Sequence, residues 1–282
     1  MGRQHRTNFG GRRLIAGAVA LFAFSVLAAA CAFPLGYSVE GRPLTVQRFG
    51  DGPKTVLLVG GLHTGSEDNT RVIVEQIAVY LSEQPQVIPD SVSVIVVASA
   101  NPDGTANGTH TNARGVDLNR NWPSDDWTLD ACHPETGCSP GLGGPQPLSE
   151  PETASLYALI ESTQPELTIV WHAEAPLVEA NEAPRAEQYA RVFGSAAGYE
   201  YIDEWRAYEI TGELIDALGQ RLGLAAFDVE LSMCCEMTTD EFNRNLAGLV
   251  ETLRAVAAAD RVTPTPVTTP KPAPTVGIPP DL

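Results

Sequence analysis

The sequence predicts an α/β fold in a single domain, with helices on both faces of a mixed, largely parallel sheet. Nearly continuous apolar runs rich in β-branched residues recur along the chain, and such runs are typical of strands buried on both faces. Segments with helical spacing of apolar residues separate these runs, as expected for a helix-flanked parallel sheet. The 282-residue chain is long enough for one such domain. The strand candidates are Thr55–Leu62, Ser91–Ala100, Leu167–Trp171 and Ala225–Leu231.

Three helices have clear sequence signals. Asn69–Glu83 places its apolar residues on one face at spacings of three and four. A capping box at 149–152, with a proline inside the first turn, predicts a helix over 150–162. Thr238 and Glu241 are placed to cap a last helix, whose apolar positions again follow helical spacing.

The two ends of the chain differ from the middle. Residues 1–30 combine a basic start, an apolar run and a small-residue exit, which are the features of an export signal. Cys31 follows in a context that resembles a bacterial lipobox, so we predict lipidation there. Ordinary signal cleavage and an uncleaved anchor stay open. Residues 31–36 are then a linker, 37–260 the folded domain, and 261–282 a Pro/Thr-rich tail that cannot bury a core.

The two ends of the chain and its net charge indicate where the protein is located and which partners it binds. We expect an exported protein, either secreted or a cell-surface lipoprotein, that meets a membrane only through its N-terminal anchor. The formal net charge is −17, which disfavours nucleic acid as a partner because that binding needs a basic face. An acidic surface is compatible with cationic ligands, although it also serves solubility.

The cysteines suggest an oxidising compartment. Cys132 and Cys138 lie in a Gly/Pro-rich loop, and in an exported protein this spacing predicts a local disulfide. A zinc knuckle that uses His133 between the two thiols is the alternative; otherwise His133 is an ordinary loop residue. Cys234 and Cys235 are adjacent, and both free thiols and a vicinal pair stay open.

Chemically capable side chains follow successive predicted strands. His63 and Glu67 come after the first strand, His172 and Glu174 after the third, and Glu230 ends the fourth. In open α/β sheets, ligands bind at the carboxyl ends of the strands. Two histidines and a carboxylate also meet the need of a catalytic zinc ion, which takes three protein ligands and keeps one open position.

Three motifs strengthen this interpretation. Gly115–Trp122 has the sequence GVDLNRNW, Asn101–Gly104 has the sequence NPDG, and Gly61–Glu67 carries the first histidine. Together, in their order along the chain, they resemble the zinc carboxypeptidase family, the pancreatic carboxypeptidase A/B type and its short bacterial branch. The resemblance runs from Lys54 to Leu231, which is most of the predicted domain.

The resemblance implies one zinc ion per chain, held by His63, Glu67 and His172. It implies that Glu230 is the general base, which takes a proton from water and passes it to the leaving amine. Zinc supplies the complementary chemistry, because it polarises the scissile carbonyl and lowers the pKa of bound water towards ~7.

The resemblance also implies how substrate is held. Asn119 and Arg120 would bind the terminal carboxylate, and an arginine can do so with two parallel hydrogen bonds. Tyr208 would close over the substrate from a loop. The resemblance places Ile215 at the floor of the pocket for the terminal side chain. Glu213 would then lie near the rim, where its charge favours a long side chain with a cationic tip. A pocket that simply takes apolar residues, with Glu213 pointing to solvent, is the alternative.

The chain departs from the family pattern at three places that matter. One is the stretch at 173–175 after His172, where the family usually has small, hydroxyl or aromatic residues and Glu174 here adds an acid close to the metal. The family usually has two residues between the first histidine and the acid, whereas three separate His63 from Glu67, so Asp68 is an alternative ligand. The arginine that usually polarises the substrate carbonyl is also missing. His110 occupies its slot, and either His110 or Arg114 could replace it.

The function predicted from the sequence is therefore that of a zinc exopeptidase. It would hydrolyse the C-terminal bond of peptides, with cell-wall peptides among the plausible substrates. A zinc N-acyl-amino-acid hydrolase of the desuccinylase/aspartoacylase type is the alternative enzyme. A non-catalytic surface binding module with a degenerate site is the alternative outside enzymes.

Overall fold

The computed structural model describes residues 1–2, 32–133 and 137–260. The rest of the predicted export signal, Cys31 and the tail at 261–282 lie outside the described residues. In the described ranges, no helix combines the length and apolar character needed to cross a bilayer.

Ten strands and six α-helices make up the described part of the chain. The strands are β1 (Phe33–Tyr37), β2 (Pro43–Phe49), β3 (Lys54–Val59), β4 (Val92–Val97), β5 (Ala131–His133), β6 (Gly137–Ser139), β7 (Leu167–Ala173), β8 (Leu177–Ala180), β9 (Glu200–Ile202) and β10 (Ala226–Leu231). The helices are α1 (Asn69–Glu83), α2 (Pro102–Asn107), α3 (Pro151–Thr163), α4 (Ala186–Ala197), α5 (Leu214–Ala217) and α6 (Thr239–Ala258).

The main sheet has eight strands in the order β1-β2-β4-β3-β7-β10-β8-β9. Its four central strands, β4, β3, β7 and β10, run parallel to one another. Antiparallel partners flank them, with β2 against β4 and β8 against β10. The prediction of a mixed, largely parallel sheet is confirmed, and all four predicted strands are the central ones. A separate hairpin joins β5 to β6.

Helices bury both faces of this sheet, as the unbroken apolar runs predict. Along β3, Val56 and Leu58 pack into one core cluster with α1, α4 and α6. The alternate residues Leu57 and Val59 pack into a second cluster with α3 and α5. This alternation follows from the two-residue period of a strand, which sends successive side chains to opposite faces.

The helix signals were informative to different degrees. Helix α1 has the predicted bounds, and the Thr238 hydroxyl accepts from the Glu241 amide at 3.1 Å to cap α6. The prediction of a capping box at 149–152 is wrong. Helix α3 begins at Pro151 with Glu150 as its N-cap, and no side chain caps it. The Ser149 hydroxyl instead donates to the Glu150 carboxylate at 2.8 Å.

Candidate active site

The carboxyl ends of β3, β7 and β10 bring the predicted chemistry together. His63 lies four residues beyond the end of β3, and His172 is the penultimate residue of β7. Glu230 in β10 is paired in register with His172. Because parallel strands end at one edge of the sheet, residues 63, 172 and 230 line one cavity although they are far apart in sequence.

His63 lies at the distances of a tetrahedral ion from the other two predicted zinc ligands. His63 Nδ1 lies 3.3 Å from Glu67 Oε2 and 3.2 Å from His172 Nδ1. Zinc bonds of about 2.1 Å at tetrahedral angles separate two ligand atoms by about 3.4 Å. Burial, and then the proximity of His63, lower the pKa of His172 to about 3, so His172 is neutral, as a ligand must be. The donor set therefore fits a zinc ion.

A reshaped turn brings Glu67 into place despite the longer gap. Gly65 adopts a left-handed φ of +69°, which favours glycine, and opens a 3₁₀ turn over Gly65–Glu67. The backbone amide of Ala173 donates to Glu67 Oε2 at 3.3 Å and orients the carboxylate. Asp68, the alternative ligand, forms a bidentate pair with Arg71 instead.

Asp117 orients the first histidine from behind. It is fully buried, and its Oδ1 lies 3.0 Å from His63 Nε2. Burial would lower the pKa of His63, but Asp117 and Glu67 raise it to about 10. A zinc ion would therefore displace the proton on Nδ1 and leave the proton on Nε2, which is the arrangement usual for histidine ligands with a carboxylate partner. Burial alone would raise the pKa of Asp117, but the nearby His63 and Arg120 hold it well below its usual range, so it stays ionised.

The last two residues of the GVDLNRNW motif, Asn121 and Trp122, are structural. Asn121 Nδ2 donates to the carbonyls of Gly143 and Gln146 at 2.8 and 3.0 Å. Trp122 is fully buried, and its indole N–H donates to the Leu118 carbonyl at 2.8 Å. These bonds fix the loop that carries the residues predicted to bind substrate.

Arg120 forms a rigid cationic wall of the cavity. Its Nε donates to the Cys132 carbonyl at 3.2 Å and its Nη1 to the Asn119 carbonyl at 2.9 Å. The Tyr208 side chain lines the same cavity and interacts electrostatically with this guanidinium. Burial, together with Glu230, outweighs the effect of Arg120 and raises the pKa of Tyr208 to about 12, so its hydroxyl stays protonated and can donate.

Two buried carboxylates, Glu213 next to Arg120 and its neighbour Asp228, lie at one side of the site. Glu213 lines the cavity wall, is 9% exposed, and accepts from Asn119 Nδ2 at 3.2 Å. It interacts electrostatically with the buried Asp228, whose Oδ1 has no hydrogen-bond partner among the described residues. Burial, despite Arg120, raises the pKa of Glu213 to about 7, and burial with Glu213 also raises the pKa of Asp228.

Glu230, on β10, lines the cavity together with Glu67 and Glu213. Burial, and then repulsion from Glu67, raise the pKa of Glu230 to about 8. A carboxylate whose pKa is shifted towards neutrality suits proton transfer near pH 7. Glu174, the nearest alternative acid, accepts from the Cys234 amide at 3.1 Å and lines a neighbouring cavity of about 380 Å³.

Two residues predicted for the site lie elsewhere. The Arg114 side chain is 54% exposed and faces Glu150 at 3.4 Å, so of the two carbonyl-polarising candidates only His110 lines the cavity. Ile215 is 2% exposed and packs into the core, because the first turn of α5 turns it towards the sheet. Ile210 takes the apolar position in the lining, and Glu213 lies in the wall rather than at the rim.

The predicted disulfide between Cys132 and Cys138 is confirmed, which excludes the zinc knuckle. The β5–β6 hairpin that it closes carries His133 into the cavity, where the ring packs edge-on against His110 with centroids 4.2 Å apart. Cys234 and Cys235 are free thiols, with sulfurs 3.1 Å apart.

Sequence reasoning missed three functional candidates. Asp117 sits inside the most informative motif, two residues before Asn119, and its position there was a usable signal. Asp228 lies two residues before Glu230 on the same strand and therefore on the same face. His133 had no signal of its own, because only the hairpin brings it to the other histidines.

Residues 30–181 match the family model described as zinc carboxypeptidase. The chain belongs to the zinc carboxypeptidase family. The prediction that the chain is a zinc hydrolase is confirmed by this family membership.

Among solved structures, the chain is similar to murein-tripeptide amidase from Escherichia coli O157, with a TM-score of 0.60 and 22% identity over 84% of this chain and 96% of that one. Bovine thrombin-activatable fibrinolysis inhibitor gives a TM-score of 0.67 and 15% identity over 81% and 90%. These likenesses show the shared fold.

Curated relatives share sequence over a shorter span. The chain is 24% identical to gamma-D-glutamyl-L-diamino acid endopeptidase 1 of Lysinibacillus sphaericus, over 62% of this chain and 54% of the relative. It is 34% identical to murein peptide amidase A of Escherichia coli K12, over 37% of this chain and 48% of the relative. The chain thus spans about half the length of the curated relatives it matches.

Proposed function

We propose that this zinc hydrolase cleaves the bond that precedes a terminal amino acid with a cationic side chain, and that a diamino acid is the preferred leaving residue. The observation that carries this proposal is the position of Arg120 next to the buried Glu213 in the cavity lining, with the buried Asp228 interacting with Glu213. A terminal amino acid of this kind offers a carboxylate to the guanidinium and an ammonium group to the two acids.

The catalytic residues follow from the cavity. His63, Glu67 and His172 would hold zinc, which supplies Lewis acidity when it is bound. Glu230 would take a proton from water and deliver it to the leaving amine. His110 would face the scissile carbonyl, since it lines the cavity and Arg114 does not.

Arg120 and Tyr208 would select the terminal carboxylate. The guanidinium is 1% exposed and is held by two backbone carbonyls, so it is positioned before substrate arrives. Charge-assisted hydrogen bonds in such a buried site are strong and directional. The protonated Tyr208 hydroxyl can donate a further bond to the same carboxylate.

Glu213 and Asp228 would select the cationic tip. Two buried carboxyl groups in contact repel each other when both ionise, and an ammonium group between them removes that repulsion. Glu213 also borders an adjoining cavity of about 700 Å³. Its acidic lining leads from the site towards solvent and consists of Glu179, Glu182, Asp203, Glu204, Glu209 and Asp216. This acidity favours approach of a cationic group.

The comparisons support a cell-wall substrate. One relative is named for a γ-D-glutamyl–diamino acid bond and another for murein peptides. A diamino acid is the residue type that the Arg120 and Glu213 arrangement would accept. The export signal predicted over residues 1–30 supports a location outside the cytoplasm, and we propose export, with or without lipidation at Cys31, on that ground.

Product analysis by mass spectrometry tests the proposal. Matched peptides ending in Leu, Phe, Lys, Glu or diaminopimelate would be incubated with the full chain, with and without chelator. We expect the Lys and diaminopimelate peptides to react at least tenfold faster than the Leu peptide, and chelator to stop the reaction. Glu213→Gln should remove the preference, whereas Glu209→Gln, which changes an exposed acid of the neighbouring cavity, should keep it.

Three results would contradict the proposal. A tenfold preference for Leu or Phe that is unchanged in Glu213→Gln would show that the acids do not recognise the side chain. Release of an N-acyl group from acylated amino acids, without cleavage of the peptides, would favour the acyl-amino-acid hydrolase. Zinc binding without any hydrolysis would favour the binding module.

A further inference from the structure

Asp117 and Glu67 each contact the same two imidazole rings. Asp117 Oδ1 lies 3.0 Å from His63 Nε2, and its Oδ2 lies 3.3 Å from His110 Nε2. On the opposite side of the rings, His63 Nδ1 lies 3.3 Å from Glu67 Oε2, and His110 Nδ1 lies 3.5 Å from Glu67 Oε1. The second ring thus repeats the environment of the first.

The repeated environment has the dimensions of a metal site. Ligand atoms of His63, Glu67 and His110 lie within 4.8 Å of one another. A tetrahedral zinc ion with bonds of about 2.1 Å separates two ligand atoms by about 3.4 Å, which matches both nitrogen–oxygen pairs. The buried Asp117 carboxylate lies behind both rings. It favours a proton on each Nε2, which leaves each Nδ1 to bind a metal.

The stacking of the rings distinguishes one shared ion from two. The His63 and His110 rings have centroids 3.9 Å apart and an interplanar angle of 29°. The lone pairs of nearly parallel rings run side by side and do not converge on one point. Each Nδ1 faces a different oxygen of Glu67, so the carboxylate can bridge two ions. Hydrolases with two metals hold their ions about 3.5–4 Å apart, close to the ring separation.

We propose that the chain binds a second zinc ion, held by His110 Nδ1 and Glu67 Oε1, beside the zinc of His63, Glu67 Oε2 and His172. This inference rests on the catalytic zinc of the proposed function and departs from the single ion that the sequence predicts. The second ion has two protein ligands where the first has three, so water completes its coordination and it binds more weakly.

The charges around the cavity favour a second cation. Arg120 is the one basic side chain among the described residues of the lining, apart from the histidines. Five carboxyl groups lie in or directly behind this lining: Glu67, Asp117, Glu213, Asp228 and Glu230. An ion at His110 would add positive charge on the side of the cavity where no guanidinium lies. The charge that polarises the substrate carbonyl would then belong to this ion rather than to the His110 ring.

Zinc titration of the metal-free full chain tests the inference. A chromophoric chelator would compete for the metal, and plasma mass spectrometry would count the bound ions. We expect two classes of zinc, one tight and one weak, with a total of two per chain. His110→Ala should lose only the weak class, and Arg114→Ala, which changes a side chain outside the cavity, should keep both.

Cobalt substitution gives a measurement that needs no variant. The first equivalent of Co²⁺ should produce an electron paramagnetic resonance signal, and the second should attenuate it, because a bridging carboxylate couples the two spins. His110→Gln should show the first signal without attenuation. A single bound ion at saturating zinc, or two ions retained in His110→Ala, would overturn the inference. Absence of any bound zinc would instead refute the proposed function.

Discussion

Replacement of Asp117 by asparagine should weaken zinc binding while the protein stays folded. The Asp117 carboxylate lies within hydrogen-bond distance of ring nitrogens of His63 and His110, and it accepts from the Asn119 amide at 2.8 Å. An asparagine of the same shape can accept through its single oxygen. Its NH₂ group would face an imidazole N–H, so one histidine must rotate or change tautomer and lose its free Nδ1.

The expected size of the effect follows from this geometry. Loss of a carboxylate behind a histidine ligand typically costs about 10–100-fold in metal affinity. At about 1.4 kcal/mol per factor of ten, this is about 1.4–2.8 kcal/mol of binding free energy. The weaker zinc class should suffer as much as the tight one, since Asp117 lies behind both rings.

Competition with a chromophoric chelator would measure the zinc dissociation constants of Asp117→Asn and the wild-type chain. Asp103→Asn is a matched control, because Asp103 is also fully buried but binds Ser38 and Arg42, outside the cavity. Circular dichroism would establish that both variants are folded. A zinc affinity in Asp117→Asn within twofold of the wild type would refute the assigned role of this carboxylate.

Three further predictions follow from the structure. Glu230→Gln should lower turnover by about 10²–10⁴-fold while zinc content is unchanged, and near-normal turnover would place the base elsewhere. Replacement of Cys132 and Cys138 by serine opens a short loop and should lower the free energy of unfolding by about 2 kcal/mol in urea titrations; an unchanged midpoint would contradict this. Burial alone would raise the pKa of Asp103, but hydrogen bonds that include one from Arg42 lower it. Its stabilisation is therefore present above about pH 4 and lost on further acidification, so the melting temperatures of wild type and Asp103→Asn should differ at pH 7, and this difference should shrink as the pH falls below about 4.

The sequence by itself determined the central architecture. Strands β3, β4, β7 and β10 are covered on both faces, and such burial forces a continuous apolar run that is visible without any structure. The outer strands escaped prediction. Strand β1 is largely exposed, and β8 and β9 have only four and three residues, too few to show a period.

The sequence also determined which residues to consider as zinc ligands. A motif records residue types at fixed local spacing, so His63, Glu67 and the loop around Arg120 could be found along the chain. His172 and Glu230 were found because both follow apolar runs, and parallel strands end at one edge of the sheet.

Only the tertiary structure decided how the cavity is completed. Whether His110 or Arg114 lines the cavity depends on the direction in which each side chain leaves its loop, and local spacing does not record that direction. Ile215 failed as a pocket residue for the same reason, since one turn of α5 sends it into the core. His133 and Asp228 join the site through a disulfide hairpin and a strand from distant parts of the sequence. Contacts between such distant residues are a product of packing, and packing is what a single sequence leaves unspecified.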